Sequence, residues 1–237
     1  MDGAMAPQRA AVLRFGGGMV LGGTVVWLLL SGLRGAVPGA PAAVLAQAGA
    51  AHWRLAHLCT IIAIVVTAAG LALLSGTLRA PAAASAGHAS AMIAVPAAAV
   101  MGVGFAIEGF VLPGLAAASR VAGDEAAQAM HLAQAGLVLQ VVGGTSFAYQ
   151  TLFGLAIAVM AYATYRSEQY PHWHCWLGML GGAVWCLAGI LSYAGNAQVG
   201  FWLFALPVLP VAIWLLGFGW LAWRQAAQPP PAAGAGR

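Results

Sequence analysis

The run GGGMVLGGTVVWLLLSGL, residues 16–33, carries no charge and is closed by Arg14 and Arg34. Its length fixes its use, because a helix of about 20 apolar residues crosses the hydrocarbon core of a bilayer. The pattern recurs along the chain. RLAHLCTIIAIVVTAAGLALLSGTLR runs between Arg54 and Arg79, and a third run extends from near His88 through MIAVPAAAVMGVGFAIEGFVL to Pro113. A fourth lies within the charge-free stretch between Glu125 and Arg166. A fifth starts at Pro171 and ends near Gly195, and a sixth covers residues 200–223. Composition agrees: 62% of residues are hydrophobic and 6% charged, against about a quarter charged in a soluble domain. The expectation is an all-α polytopic membrane protein whose main partner is the lipid bilayer. Every Lys/Arg position is Arg, and these are scattered along the chain. A clustered basic footprint for nucleic acid is therefore absent.

The stretch 126–165 is long enough for two short spans hinged at Gly143-Gly144, which would make seven. Arginine placement selects six. With the N-terminus inside, Arg9, Arg14, Arg79, Arg166, Arg224 and Arg237 are cytoplasmic and only Arg34, Arg54 and Arg120 lie outside, as the positive-inside rule requires. Seven spans would reverse that bias. An internal repeat fits the same count. LAQAG occurs at 45–49 and at 132–136, and the same offset carries Arg79 onto Arg166. This makes 124–142 the counterpart of 37–52, each an interfacial helix on the outer side leading into a span. Arg34, directly after the first apolar core, argues against a cleaved signal peptide. Residues 1–226 then form one six-helix domain, and the Pro/Gly-rich tail 227–237 is expected to be disordered on the cytoplasmic side.

Chemistry-bearing residues are few. Cys59, Cys175 and Cys186 sit in apolar runs without CxxC or zinc spacing, as small buried hydrophobes do. No phosphate loop, GxSxG elbow or HExxH is present, so no catalytic residue is assigned. Glu108, in GFAIEGFVLPG, is an ionisable group at membrane depth, where such groups are costly. His57, one turn into the second span, is expected at the same outer level and is its candidate partner, by hydrogen bond or in proton or metal chemistry. Within YPHWHCWLG (170–178), His172 and His174 face opposite sides of a helix, whereas His172 and Cys175 share one. Tyr170, Trp173 and Trp176 read as an aromatic belt at the headgroups. Pro96 with Gly102 and Gly104, and Pro207 with Pro210, are features of the broken helices of small-molecule transporters. G18xxxG22 and G178xxxG182 read as close helix packing.

Two resemblances follow from these motifs. The arrangement of a short charged loop, Tyr-Pro-x-Trp, then Trp-Leu-Gly and a Gly-rich apolar helix, together with HWRLAHL at 52–58, resembles uncharacterised six-helix bacterial membrane proteins of the domain-of-unknown-function class. It implies a multi-pass inner-membrane protein with no assigned activity, and the expected role is that of an accessory or structural subunit packing against other membrane proteins. The histidines form two levels, His52, His57 and His131 outside, His88, His172 and His174 inside. That layout resembles six-helix cytochromes of the b561 type. It implies two b haems, one on His57 and His131, the other on His88 with His172 or His174, exchanging electrons with quinol or a periplasmic donor. None of that family's substrate-binding motifs surrounds these histidines. His131 also lies some 20 Å of helix upstream of a span at 144–164.

Overall fold

The computed structural model describes residues 5–34, 40–195 and 200–227. These form seven helices: α1 Met5–Arg34, α2 Pro41–Ala48, α3 Trp53–Ser75, α4 Pro81–Val121, α5 Glu125–Ser167, α6 His172–Tyr193 and α7 Gly200–Ala227. No strand occurs among the described residues. All except α2 are long and apolar enough to span a bilayer. Helix is what a span demands, since it satisfies every backbone N–H and C=O within the segment. Of the expected tail 227–237, Ala227 is the last residue of α7; residues 228–237, and 37–39, lie outside the described residues.

Local sequence sets the helix ends. Pro41 and Pro81 occupy the first turns of α2 and α4, where a missing N–H costs nothing. The Asp124 carboxylate accepts from the Ala127 N–H at 2.7 Å and caps α5. α5 ends with Glu168 in the left-handed region at φ 56°, a conformation a side chain adopts at some cost.

The six spanning helices form a closed ring. Each packs on its neighbours in chain order, and α7 returns to α1. Three crossings are made by reciprocal glycine pairs. A Cβ at Gly16 would sit 3.3 Å from the Gly70 carbonyl oxygen, and one at Gly17 2.7 Å from that of Gly219. One at Gly154 would sit 2.8 Å from that of Gly182. Small residues let backbones approach where lipid supplies no hydrophobic driving force between helices. Trp185, Phe153, Tyr149, Trp214 and Phe218 fill the interior, with Tyr149 and Phe153 stacked at 5.1 Å and Trp185 edge-on to both. Leucines and isoleucines such as Leu58, Ile62, Leu180 and Leu187 point outward, as a lipid-solvated surface requires.

Helices α4 and α5 exceed a span. At 41 and 43 residues they are each about 60 Å long, roughly twice the hydrocarbon thickness. Their lower halves pair at Ser90, whose hydroxyl donates to the Ala156 carbonyl at 2.6 Å. Further up, Gly104 faces Thr145. α6 ends at Tyr193 beside Ala148 and Thr151. Residues 105–121 and 125–145 therefore continue past the end of α6 as a two-helix extension, on the face opposite the start of α1 and the end of α7. We call the two ends the terminal face and the distal face.

This corrects two expectations. The third span does not stop at Pro113, because α4 runs through it to Val121. Proline is tolerated inside a membrane helix when neighbours cover the freed carbonyl. Nor does 124–142 form a separate interfacial helix; it is the first half of α5. Its proposed counterpart does behave differently, since α2 is a short helix lying against both extensions. The two LAQAG copies meet there. Leu45 and Ala48 of one, and Leu132 and Ala135 of the other, join Val44, Trp53, Leu112 and Ala116 in a second apolar cluster. Arg120 crosses the end of α2, with its Nη1 3.1 Å from where a Gly49 Cβ would lie, a cation at the negative end of a helix dipole. The extension and α2 form a distal headpiece.

Candidate site beneath the distal headpiece

His57 and Glu108 are both buried where α3 enters the headpiece. His57 Nε2 lies 3.3 Å from Glu108 Oε2. Three further contacts fix the imidazole. Its Nδ1 is 2.8 Å from the Trp53 carbonyl oxygen. A carbonyl only accepts, so Nδ1 carries a proton and donates it. The Trp53 ring lies 4.6 Å from the imidazole, and Phe105 meets its edge at 5.7 Å. The Trp53 indole N–H in turn reaches the Glu108 carbonyl at 3.4 Å. Gly109 makes this approach possible, because a Cβ there would fall 2.7 Å from the His57 Cβ.

The chemistry follows from the tautomer. With Nδ1 donating, Nε2 faces the carboxyl group with a lone pair unless it too is protonated. The contact is attractive only when a proton lies between nitrogen and oxygen, carried by either partner. The pair is therefore a close contact between two buried ionisable side chains, with one side of the ring held by the Trp53 carbonyl. Beside it opens a cleft of ≈ 630 Å³ whose lining includes Leu30, Gln47, His52, Trp53 and Cys59.

The other sequence candidates are placed elsewhere. His131 sits on the α5 extension, 3.3 Å from the Gln134 side-chain oxygen. Given that His57 packs at Gly109 and Gly104 faces Thr145, His131 stands about 13 Å of helix beyond the level of His57. His88 is exposed on α4. His172 is exposed on α6 with its ring 5.0 Å from that of Tyr165. His174 is buried, and its Nε2 donates to the Trp214 carbonyl at 3.0 Å, tying α6 to α7. The structure thus brings together His57 with Glu108, and does not bring His57 to His131 or His174 to His88. Among the described residues no group of three or more His, Cys, Asp or Glu is placed to hold a metal ion.

The segment 170–178 divides between anchor and core. Trp173 is 67% and Trp176 51% exposed on α6 at the terminal face, as belt residues are. Tyr170 departs from expectation: it is buried against Phe218 at 5.2 Å, and burial pushes its phenol above the usual range. It belongs to a lock in which Arg9 donates to the Gln169 side chain at 2.9 Å and Gln225 to the Gln169 carbonyl at 2.8 Å. Cys175 is buried and accepts from the Thr164 hydroxyl at 3.5 Å.

Sequence reading missed Trp53 and Phe105 as parts of the site. The signal was present in helical spacing, since Trp53 precedes His57 by four residues and Phe105 precedes Glu108 by three, each pair on one face. A family model described as a domain of unknown function (DUF4386) matches residues 10–225. No curated protein and no solved structure matches the chain.

Proposed function

The chain belongs to the DUF4386 family, and from that membership and the shape of its distal end we propose a non-catalytic accessory role. On this reading it is a bacterial inner-membrane protein, both termini cytoplasmic, that engages a membrane-protein partner through its headpiece. Arginine distribution supports the orientation: Arg9, Arg14, Arg79, Arg166 and Arg224 gather toward the terminal face, while Arg54 and Arg120 sit in the headpiece.

The observation that carries the role is exposed apolar surface on the α4–α5 extension, which on this reading lies outside the bilayer because both helices are about twice the length a span needs. Val121 is 83% exposed on α4 and Met130 52% on α5. In lipid such side chains are at home; on an extension beyond it they mark a surface that something covers. The interior supports a fixed scaffold over a carrier, since bulky aromatic side chains fill it and Pro96, Pro207 and Pro210 lie inside continuous helices.

A photo-crosslinking residue placed at Met130 tests this reading in living cells. A discrete adduct of higher mass is expected there, and none when the same residue replaces lipid-facing Leu180. Adducts at neither position, or at Leu180 alone, would contradict the accessory role.

A further inference from the structure

Gly18 and Gly22 have no packing role. A Cβ built on either meets nothing within 4 Å, so this GxxxG pair does not form the close helix contact its spacing suggests. The α1–α3 crossing is made instead at Gly16 and Gly23, which face Gly70 and Thr67. Gly18 and Gly22 floor a groove of ≈ 490 Å³ between α1 and α3, open to the outside of the ring. Its walls include Met19, Val26, Ile62 and Val66, and Arg14 lines its end toward the terminal face. A lipid-facing helix would be better served by alanine or leucine at both positions, unless the space itself has a use.

The groove has the dimensions and charge of one lipid. From Arg14 to Val26 the helix rises about 18 Å, close to the roughly 15 Å of one leaflet's hydrocarbon. We propose that it binds one anionic phospholipid of the terminal-face leaflet, the phosphate on Arg14 and an acyl chain laid over Gly18 and Gly22. The guanidinium presents paired N–H donors that match a phosphate. Removing two side chains brings the chain's methylenes into contact with helix backbone along their length. No other formal charge lines the groove among the described residues, which favours a single anionic headgroup at one end over a zwitterionic one.

Native mass spectrometry of the full chain, released from nanodiscs of phosphatidylglycerol and phosphatidylcholine with matched acyl chains, tests this. Wild-type protein is expected to retain phosphatidylglycerol with about tenfold preference, a difference of one decade in affinity. Gly22→Leu fills open space, so it should melt like wild type while losing the retained lipid. Arg14→Gln, at an exposed position, should keep a bound lipid and lose the headgroup preference. Equal retention of the two lipids by wild type would overturn the proposal. So would retention unchanged in both Gly22→Leu and Arg14→Gln.

Discussion

Gly182→Val is expected to destabilise the protein by about 3 kcal/mol or more, enough to leave it aggregated or unfolded on extraction from the membrane. A Cβ at Gly182 would sit 2.6 Å from the Gly154 carbonyl oxygen and 2.6 Å from the Ala158 nitrogen. Both obstacles are backbone, so neither can turn aside as a side chain would. Relief requires α5 and α6 to separate, which opens the aromatic interior where Trp185 on α6 meets Phe153 on α5. Thermal melting and size-exclusion profiles in detergent measure the effect. Gly18→Val is the control, since nothing stands within 4 Å of its Cβ position. Equal melting of the two variants would mean that the reciprocal glycine pairs do not hold the ring.

The second large effect is at the buried pair. His57→Leu is expected to cost about 3–4 kcal/mol, because it takes the imidazole away from a carboxyl group that has little access to water. Glu108→Leu should cost less, since the Nδ1 bond to the Trp53 carbonyl keeps one side of the ring satisfied. The double variant should be more stable than the sum of the two losses predicts, because neither member of the pair is then left facing an apolar side chain. A coupling of about 1–3 kcal/mol is the expected signature of groups in direct contact. Denaturation of all four proteins in the same detergent gives the cycle. Strictly additive losses would mean that the 3.3 Å contact contributes nothing to stability.

The spans were legible because their signal is long and redundant: an apolar run of fixed length, closed by arginines, repeated along the chain. The headpiece was not, and the reason lies in Pro113. Read locally, a proline ends a helix by removing a donor and crowding the preceding turn. In the folded chain α5 and α2 pack along α4, and the helix continues past the proline. Length was hidden for the same reason, since a window tuned to about 20 residues cannot report that two of the helices run on for about twice that length. The repeat of LAQAG pointed the right way. Its copies share one cluster, although one is a separate helix and the other part of a longer one.

Glycine spacing misled in a different manner. G178xxxG182 and G18xxxG22 have the same spacing, yet Gly182 lies against a neighbouring backbone and Gly18 against open space. Spacing says that two glycines share a face, and nothing about what that face meets. At the site, His57 and Glu108 could be placed at one level by counting residues. That Trp53 would fix the tautomer from one turn away, and that Gly109 would admit the ring, depends on how α3 and α4 are rotated against each other. Periodicity does not supply that rotation.

The headpiece facing out of the cell, with both termini inside, is the premise on which the accessory role rests, and cysteine labelling tests it most directly. With Cys59, Cys175 and Cys186 replaced, Gly123→Cys at the tip of the extension and Ala227→Cys at the end of α7 are each exposed to a membrane-impermeant maleimide. The account predicts labelling of position 123 in intact cells with a permeable outer membrane, and of position 227 only after lysis. Labelling of position 227 in intact cells, with position 123 protected until lysis, would contradict it.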